Sequence, residues 1–123
     1  MSKAALAYVN KKLSETGINY AFLKWKGEPV YPYWVGEYQE SPPSQEDGSI
    51  ETAFTITGWT NGEALDLEND KEKIEKAFTF CTTVLDNGSG IDISYNGAFI
   101  IPQESETFVR MQINLSIKEW RVI

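Results

Sequence analysis

The segment that most constrains the fold lies near the end of the chain, "TFVRMQINLSIKEW" at residues 107–120. Every second residue from Val109 to Ile117 is apolar, and the residues between them are polar. This period of two is typical of an antiparallel strand with one face on a core and one face in water. Because the segment is more than ten residues long, we expect this strand to lie centrally in a sheet or to extend beyond it.

Two other segments have the period of a helix. The first is predicted to begin at an N-cap at Ser2 and to end before Gly17, with Leu6, Val9 and Leu13 as its apolar stripe.

The second helix is predicted from Asp70 to Val84, because Asn69 and Glu72 have the spacing of a capping box. Its apolar stripe would consist of Leu67, Ile74, Phe78, Cys81 and Leu85.

The remaining segments predict strands and turns. "NYAFLKWKG", "VYPYWVGEYQE" and "SIETAFTITGW" are strand candidates, and the second and third form a long hairpin. Residues 41–49 join its two legs as a mobile acidic and proline-rich loop. Asn96-Gly97 in "GIDISYNGAFIIP" predicts a tight turn within a further hairpin. We therefore expect one α+β domain over residues 1–123, with an antiparallel sheet, two helices on one face and a long hairpin with an extended acidic loop.

The charge of the chain is unevenly distributed. Residues 1–26 hold five Lys and one Glu, a net +4, whereas residues 37–75 hold eleven Asp or Glu and two Lys, a net −9. The whole chain has a net charge of −7. This balance argues against tight binding of nucleic acid, which requires cations that displace counterions. It favours solubility, a basic partner, or a surface that must not adhere to DNA.

The side chains of common catalytic and metal sites are missing from the sequence. It contains no histidine, which removes the commonest general base and the Ser-His and Cys-His pairs. Cys81 lies on an apolar stripe, where it is expected to act as a small hydrophobe. Asp66, Glu68 and Asp70 do not match a calcium loop. We expect no enzyme, no cofactor and no metal, and no apolar run approaches the length of a membrane span.

Aromatic residues are concentrated in "YPYWVGEY" at residues 31–38, on both faces of the predicted strand. Three interpretations remain open. The aromatic residues could belong to an ordinary core. They could contact another protein, because interfaces are enriched in aromatic residues. They could also bind a carbohydrate or other small ligand through the strand from Tyr31 to Tyr38.

The order of the elements resembles the small tail-terminator (tail-completion) proteins of long-tailed phages and prophages. The likeness covers nearly the whole chain: a short helix, the "YPYWVGEY" strand before an acidic loop, "ETAFTITGWT", an amphipathic helix and a long final strand. Its local signature is the "P-Y-W-x-G-E-Y" pattern. The resemblance implies an α+β subunit of the virion, assembled in the host cytoplasm, that forms a hexameric ring on the last ring of tail-tube protein.

Such a ring stops tube growth, presents a surface to the head connector or completion protein, and lets DNA pass through as cargo. The expected contact residues between subunits or partners are Tyr33, Trp34, Tyr38 and Trp59. From charge and position, the expected acidic loop or lumen residues are Glu37, Glu40, Glu46, Asp47 and Glu51. Two alternatives stay open: a small-ligand or carbohydrate-binding module that uses Tyr33, Trp34 and Tyr38, and a head–tail connector component other than the terminator, such as a stopper.

Overall fold

The computed structural model describes residues 1–42, 48–101 and 108–120. Two helices and six strands follow one another along the chain: α1 (Lys3–Glu15), β1 (Tyr20–Phe22), β2 (Tyr33–Glu40), β3 (Ser49–Thr60), α2 (Ala64–Ala77), β4 (Cys81–Val84), β5 (Gly90–Ile101) and β6 (Val109–Trp120). The strands form a six-stranded sheet in the spatial order β1-β2-β3-β6-β5-β4. The predicted α+β class is confirmed.

The final strand lies in the interior of the sheet, as its length and alternation predicted. β6 pairs along its whole length with β3 on one side and with β5 on the other, antiparallel in both cases. Met111, Ile113, Leu115 and Ile117 are buried on one face. We call this the inner face, because both helices cover it, and the opposite side the outer face.

The helices and the inner face enclose a continuous apolar core. α1 begins at Ser2, whose hydroxyl accepts a hydrogen bond from the Ala5 N–H at 3.1 Å. It is followed by Gly17 in the left-handed region at φ +87°, so both predicted ends are confirmed. The largest fully buried side chains are Trp34, Phe54, Phe78, Leu13, Ile56, Leu67, Ile74, Ile91, Ile93, Met111, Ile113 and Leu115.

The predicted second helix was placed too late in the chain. α2 begins at Ala64, after an N-cap at Glu63, and ends at Ala77. Leu67 and Ile74 are fully buried, so packing of one apolar face sets the helix, and the capping-box spacing at Asn69 plays no part.

The segment from Cys81 to Val84 is a strand, and the prediction that it continues the helix is wrong. Cys81 pairs with Ile93 and Val84 with Gly90. Cys81 and Leu85 are both buried, and this spacing fits alternation in an extended chain as well as a helical stripe. The intervening threonines and valine are β-branched, which favours a strand.

The hairpin predicted at Asn96-Gly97 is also absent. β5 continues through these residues as one strand, and the register against β6 shifts between Tyr95 and Ala98. Gly97 has φ +93°, which here serves a β-bulge and not a turn. The long β6 explains the difference, because it supplies hydrogen-bonding partners to β5 on both sides of the bulge.

Two further predictions concern the edges of the sheet. β1 is parallel to β2, so the sheet is mixed and not fully antiparallel. The first strand is also shorter than predicted, because Leu23 adopts φ +69° directly after Phe22.

The predicted mobile loop at 41–49 lies partly outside the described residues, since 43–47 are among those not described.

Candidate interaction surface

Trp34 belongs to the core, so the prediction that it contacts a partner or ligand is wrong. Its side chain is fully buried, and its indole N–H donates to Asp70 Oδ2 at 2.9 Å. Gly58 lies against the face of the indole, where an added Cβ would come within 2.5 Å of the ring. Gly58 therefore makes room for the ring, and Asp70 satisfies its polar atom.

Tyr33 and Tyr38 face opposite sides of the sheet. Tyr38 is 39% exposed and its ring stacks on Phe22, with centroids 6.1 Å apart, on the inner side. Tyr33 lies on the outer face. Tyr33, Trp34 and Tyr38 consequently form no common platform for a carbohydrate.

Tyr33 is instead the centre of a cluster of rings on the outer face. It is the cross-strand neighbour of Trp59, and the two rings stack at a centroid distance of 5.1 Å. Trp25 lies 5.3 Å from Tyr33, Tyr31 lies 5.5 Å from it, and Phe108 lies 5.7 Å from Tyr31. With the arginine described next, we define the aromatic patch as Trp25, Tyr31, Tyr33, Trp59, Phe108 and Arg110.

Arg110 adds a positive charge to these rings. It pairs with Trp59 across β3 and β6, and its guanidinium carbon lies 5.6 Å from the centre of the Trp59 ring, within the range of a cation–π interaction. Its Nε is buried and has no hydrogen-bond partner among the described residues. A buried donor without a partner costs about 1–3 kcal/mol of folding stability, which the contact of the guanidinium with the Trp59 ring partly offsets.

The chain between β1 and β2 places two of these rings. The indole N–H of Trp25 donates to the Glu28 carbonyl at 3.0 Å. The side-chain amide of Asn19 donates to the Pro32 carbonyl at 3.0 Å, which fixes the entry into β2. Burial raises the pKa of Tyr33, and Tyr31 adds to the shift, so its hydroxyl stays neutral within the cluster.

Sequence reasoning identified Tyr33 and Trp59 but missed Trp25, Phe108 and Arg110. The alternation along the last strand does predict that Arg110 lies on the solvent-facing side of the sheet. Its contact with Trp59 depends on the register between β3 and β6, which no local pattern specifies. The predicted contacts of Tyr33, Tyr38 and Trp59 with other proteins remain predictions.

Of the predicted acidic residues, the three within the described ranges do not all lie on one face of the sheet. Glu37 and Glu51 are exposed on the outer face, whereas Glu40 is on the inner side and makes an ion pair with the N-terminal amine of Met1. Glu46 and Asp47 lie outside the described residues. A role of these five residues in a lumen remains a prediction.

Within the described ranges, no group of three or more Cys, Asp or Glu side chains could hold a metal ion. Cys81 is buried, and its sulfur lies 3.4 Å from the Tyr8 hydroxyl. Neither α1 nor α2 has the length and apolar character required to cross a bilayer.

Comparison with known proteins identifies the fold. No protein-family model matches the sequence, and no curated protein is significantly similar to it. Among solved structures, a chain of the "Virion of native gene transfer agent (GTA) particle" superposes with a TM-score of 0.77 at 12% sequence identity. The alignment covers 98% of this chain and 100% of that chain. At this identity the similarity establishes a shared fold over essentially the full length of both chains.

Proposed function

We propose that this protein is a structural component of a phage or phage-like virion, and that it acts as the tail terminator. The observation that supports this most directly is the similarity of fold to a chain of a gene transfer agent virion, which extends over 98% of one chain and 100% of the other. The element order of the sequence also resembles that of small tail proteins of phages.

In this proposal six copies form a ring on the last ring of tail-tube protein, end the growth of the tube and join it to the head connector. The ring assembles in the host cytoplasm and becomes part of the virion. A ring requires contacts between two different surfaces of neighbouring subunits, and the aromatic patch has the Trp, Tyr and Arg composition of interface hot spots. The net charge of −7 lets DNA pass without strong binding.

Electron microscopy of the protein mixed with its tail-tube protein tests this function. We expect tubes that end in a ring of this protein and stop growing. An acidic protein of similar size that is unrelated in fold serves as the control. Tubes that continue to grow while this protein remains unbound would refute the proposal. Cross-linking of neighbours within the particle separates a terminator from a stopper, because only the terminator would cross-link to tube protein.

The aromatic patch also favours a second candidate, a carbohydrate-binding module. Aromatic rings at a protein surface can stack against sugar faces, and the patch contains one exposed ring, Phe108, and four half-buried rings, each within about 6 Å of a neighbour. Titration of tryptophan fluorescence with a glycan panel tests this function. A response that is lost on Trp59→Ala would support it, and no response to any glycan would exclude this candidate.

A further inference from the structure

We propose that two copies of this chain join edge to edge into one continuous sheet, in which β1 of one copy pairs with the second half of β5 in the next. This contact deepens the proposed ring and rests on it for its biological setting. It names the two strands that meet wherever one subunit contacts its neighbour.

Each edge of the sheet is only partly covered by its last strand. At one edge β4 pairs with residues 90–93 of β5, so residues 94–101 have β6 as their only partner strand within the described part of the chain. At the other edge β1 pairs with residues 34–36 of β2 and has no strand on its far side within those same ranges. The backbone N–H and C=O groups that point away from the sheet at these two edges are available to pair with another strand.

Both edges lack the side chains that usually prevent such pairing. Natural edge strands are commonly blocked by charged residues or proline. Residues 94–101 are "SYNGAFII" and residues 20–23 are "YAFL", with no charge and no proline in either. Phe99 and Ile100, which follow the β-bulge, are 49% and 48% exposed. An apolar edge of this kind is expected to be covered in the assembled protein.

The register of the strands places the two edges at the same height of the sheet. The row of paired residues that begins at Tyr20 in β1 passes through Trp34 in β2 and continues across β3 and β6 to Ile100 in β5. In a closed ring whose axis lies along the strands, a rotation without a shift along the strands relates one copy to the next. β1 of one copy then lies directly beside residues 98–100 of its neighbour, past the point where β4 ends.

The side chains fit one another in this register. β2 is antiparallel to β3, β3 to β6 and β6 to β5, and β1 is parallel to β2, so the new pair of strands is antiparallel. Aromatic and branched side chains that lie opposite one another stabilise such a pair. The three rows place Phe99 opposite Ala21, Phe22 opposite Ala98 and Tyr20 opposite Ile100.

Two exposed residues with unusual backbone conformations flank the same contact. Leu23 follows β1 at φ +69° and is 65% exposed, and Phe80 precedes β4 at φ +55° and is 99% exposed. Positive φ is unfavourable for both residue types, and strain of this kind is concentrated at functional sites. In the joined sheet β1 of one copy and β4 of the other lie end to end along β5, separated by the rows of residues 94–97. Leu23 and Phe80 enter this gap from its two ends, so each covers the apolar side chain of the other.

Charge supports a second copy as the partner. Among the described residues, the groove where β4 begins is lined by Glu75 and Asp92 and by no basic side chain. The groove along β1 is lined by Lys24 and Lys26 and by no acidic side chain among those residues. Glu28, the one acidic residue between β1 and β2, does not line this groove. Attraction between the two grooves would orient one copy against the next.

The test uses full-length chains that each contain one added cysteine. Ala21→Cys is mixed with Phe99→Cys, because these positions lie opposite each other in the joined sheet. Within one copy they are four strand spacings apart, about 19 Å along the sheet at ~4.8 Å per spacing, and a disulfide requires Cα atoms within about 7 Å. A disulfide between them therefore joins two copies. Ala21→Cys mixed with Ala53→Cys is the matched control, since Ala53 is exposed on β3 in the interior of the sheet.

The mixtures are incubated in a glutathione buffer at about 0.5 mM protein, where a contact with a Kd near 1 mM is populated, and mass spectrometry measures the mixed dimers. We expect at least about tenfold more mixed dimer from Ala21→Cys with Phe99→Cys than from the control mixture. Adding Phe80→Asn to the Phe99→Cys chain should lower this yield at least about threefold. Because Asn tolerates positive φ, the same change should not lower the thermal midpoint. A contact role therefore separates from a purely structural one.

Leu23→Asn in the Ala21→Cys chain probes the same contact from the other copy, and it keeps the test decisive if Phe80→Asn lowers the midpoint. Equal yields from the paired and control mixtures would overturn the inference, and so would a yield that neither Asn variant lowers.

Failure of this contact is distinguishable from failure of the proposed function. If the wild-type protein caps tubes but the cysteine pair cross-links no better than the control, the ring uses another contact and the terminator role stands. If the pair cross-links but tubes grow unchecked, the copies pair edge to edge without the terminator role.

Discussion

The contact between Gly58 and Trp34 offers a sharp test of how the core is built. In Gly58→Ala the new methyl carbon would lie 2.5–2.6 Å from three atoms of the indole, about 1 Å inside ordinary contact distance. The ring cannot move outwards easily, because Trp34 is fully buried and its N–H is bound to Asp70 at 2.9 Å.

Two opposing contributions set how much Gly58→Ala changes the free energy of unfolding. Overpacking of a core typically costs about 1–3 kcal/mol. Replacing Gly by Ala restricts the unfolded chain and returns about 0.4–1 kcal/mol. Because the overlap involves three ring atoms, we expect the clash to be at the upper end of its range, so that Gly58→Ala lowers the free energy of unfolding by about 2 kcal/mol.

Urea unfolding followed by circular dichroism measures this change. Gly90→Ala is the matched control, since it is also a strand glycine without positive φ and its added Cβ would lie 3.6 Å from the nearest Trp120 atom, an ordinary contact. It should change the free energy of unfolding by no more than about 0.5 kcal/mol.

The double variant Trp34→Phe/Gly58→Ala sharpens the test, because a smaller ring leaves room for the methyl group. Its loss of stability should be at least about 1 kcal/mol smaller than the sum of the two single losses. If Gly58→Ala is as stable as wild type, or if the two losses simply add, the glycine does not make room for the indole and this account of the core is wrong.

Three further predictions concern the ends of elements and the response to pH. The Ser2 hydroxyl accepts a hydrogen bond from the Ala5 N–H and donates one to the buried carboxylate of Glu119. Ser2→Ala removes both bonds, so urea unfolding should show a free energy of unfolding lower by about 2 kcal/mol. A decrease below about 0.5 kcal/mol would contradict both roles. Burial, with help from the Cys81 contact, raises the pKa of Tyr8 to about 12 from a usual 10.0. Its contribution to stability is therefore complete below about pH 10 and lost as the pH rises towards 12, so wild type should lose more stability than Tyr8→Phe between about pH 10 and pH 12 in urea unfolding, and equal losses would contradict this role. Phe80 is 99% exposed with φ +55°, so Phe80→Gly should raise the thermal midpoint by removing left-handed strain of up to about 1 kcal/mol; an unchanged or lower midpoint would show that this conformation costs nothing.

Local patterns predicted the elements whose signal does not depend on distant partners. The cap at Ser2 and the stop at Gly17 are local chemistry, and the strict alternation around Ile113 specifies a strand with one buried face. These features held because each is fixed by neighbours within a few residues.

Predictions failed where one spacing fits two conformations. Cys81 and Leu85 satisfy both a helical stripe and strand alternation, and pairing with β5 decided for the strand. Asn96-Gly97 suits a turn or a bulge, and the length of β6 decided for the bulge. In both cases a hydrogen-bonding partner far along the chain determined the outcome.

For the candidate interaction surface, too, some features follow from the sequence and others from the tertiary structure. The sequence by itself determined that aromatic residues are concentrated near residues 31–38, that the chain lacks histidine and that its charge is split between a basic start and an acidic middle. Only the tertiary structure decided that Trp34 turns into the core while Tyr33 and Trp59 stack outside with Arg110. The physical reason is that burial and cross-strand register are set by the pairing of distant strands, and a sequence pattern contains the alternation of a strand but not the identity of its neighbour.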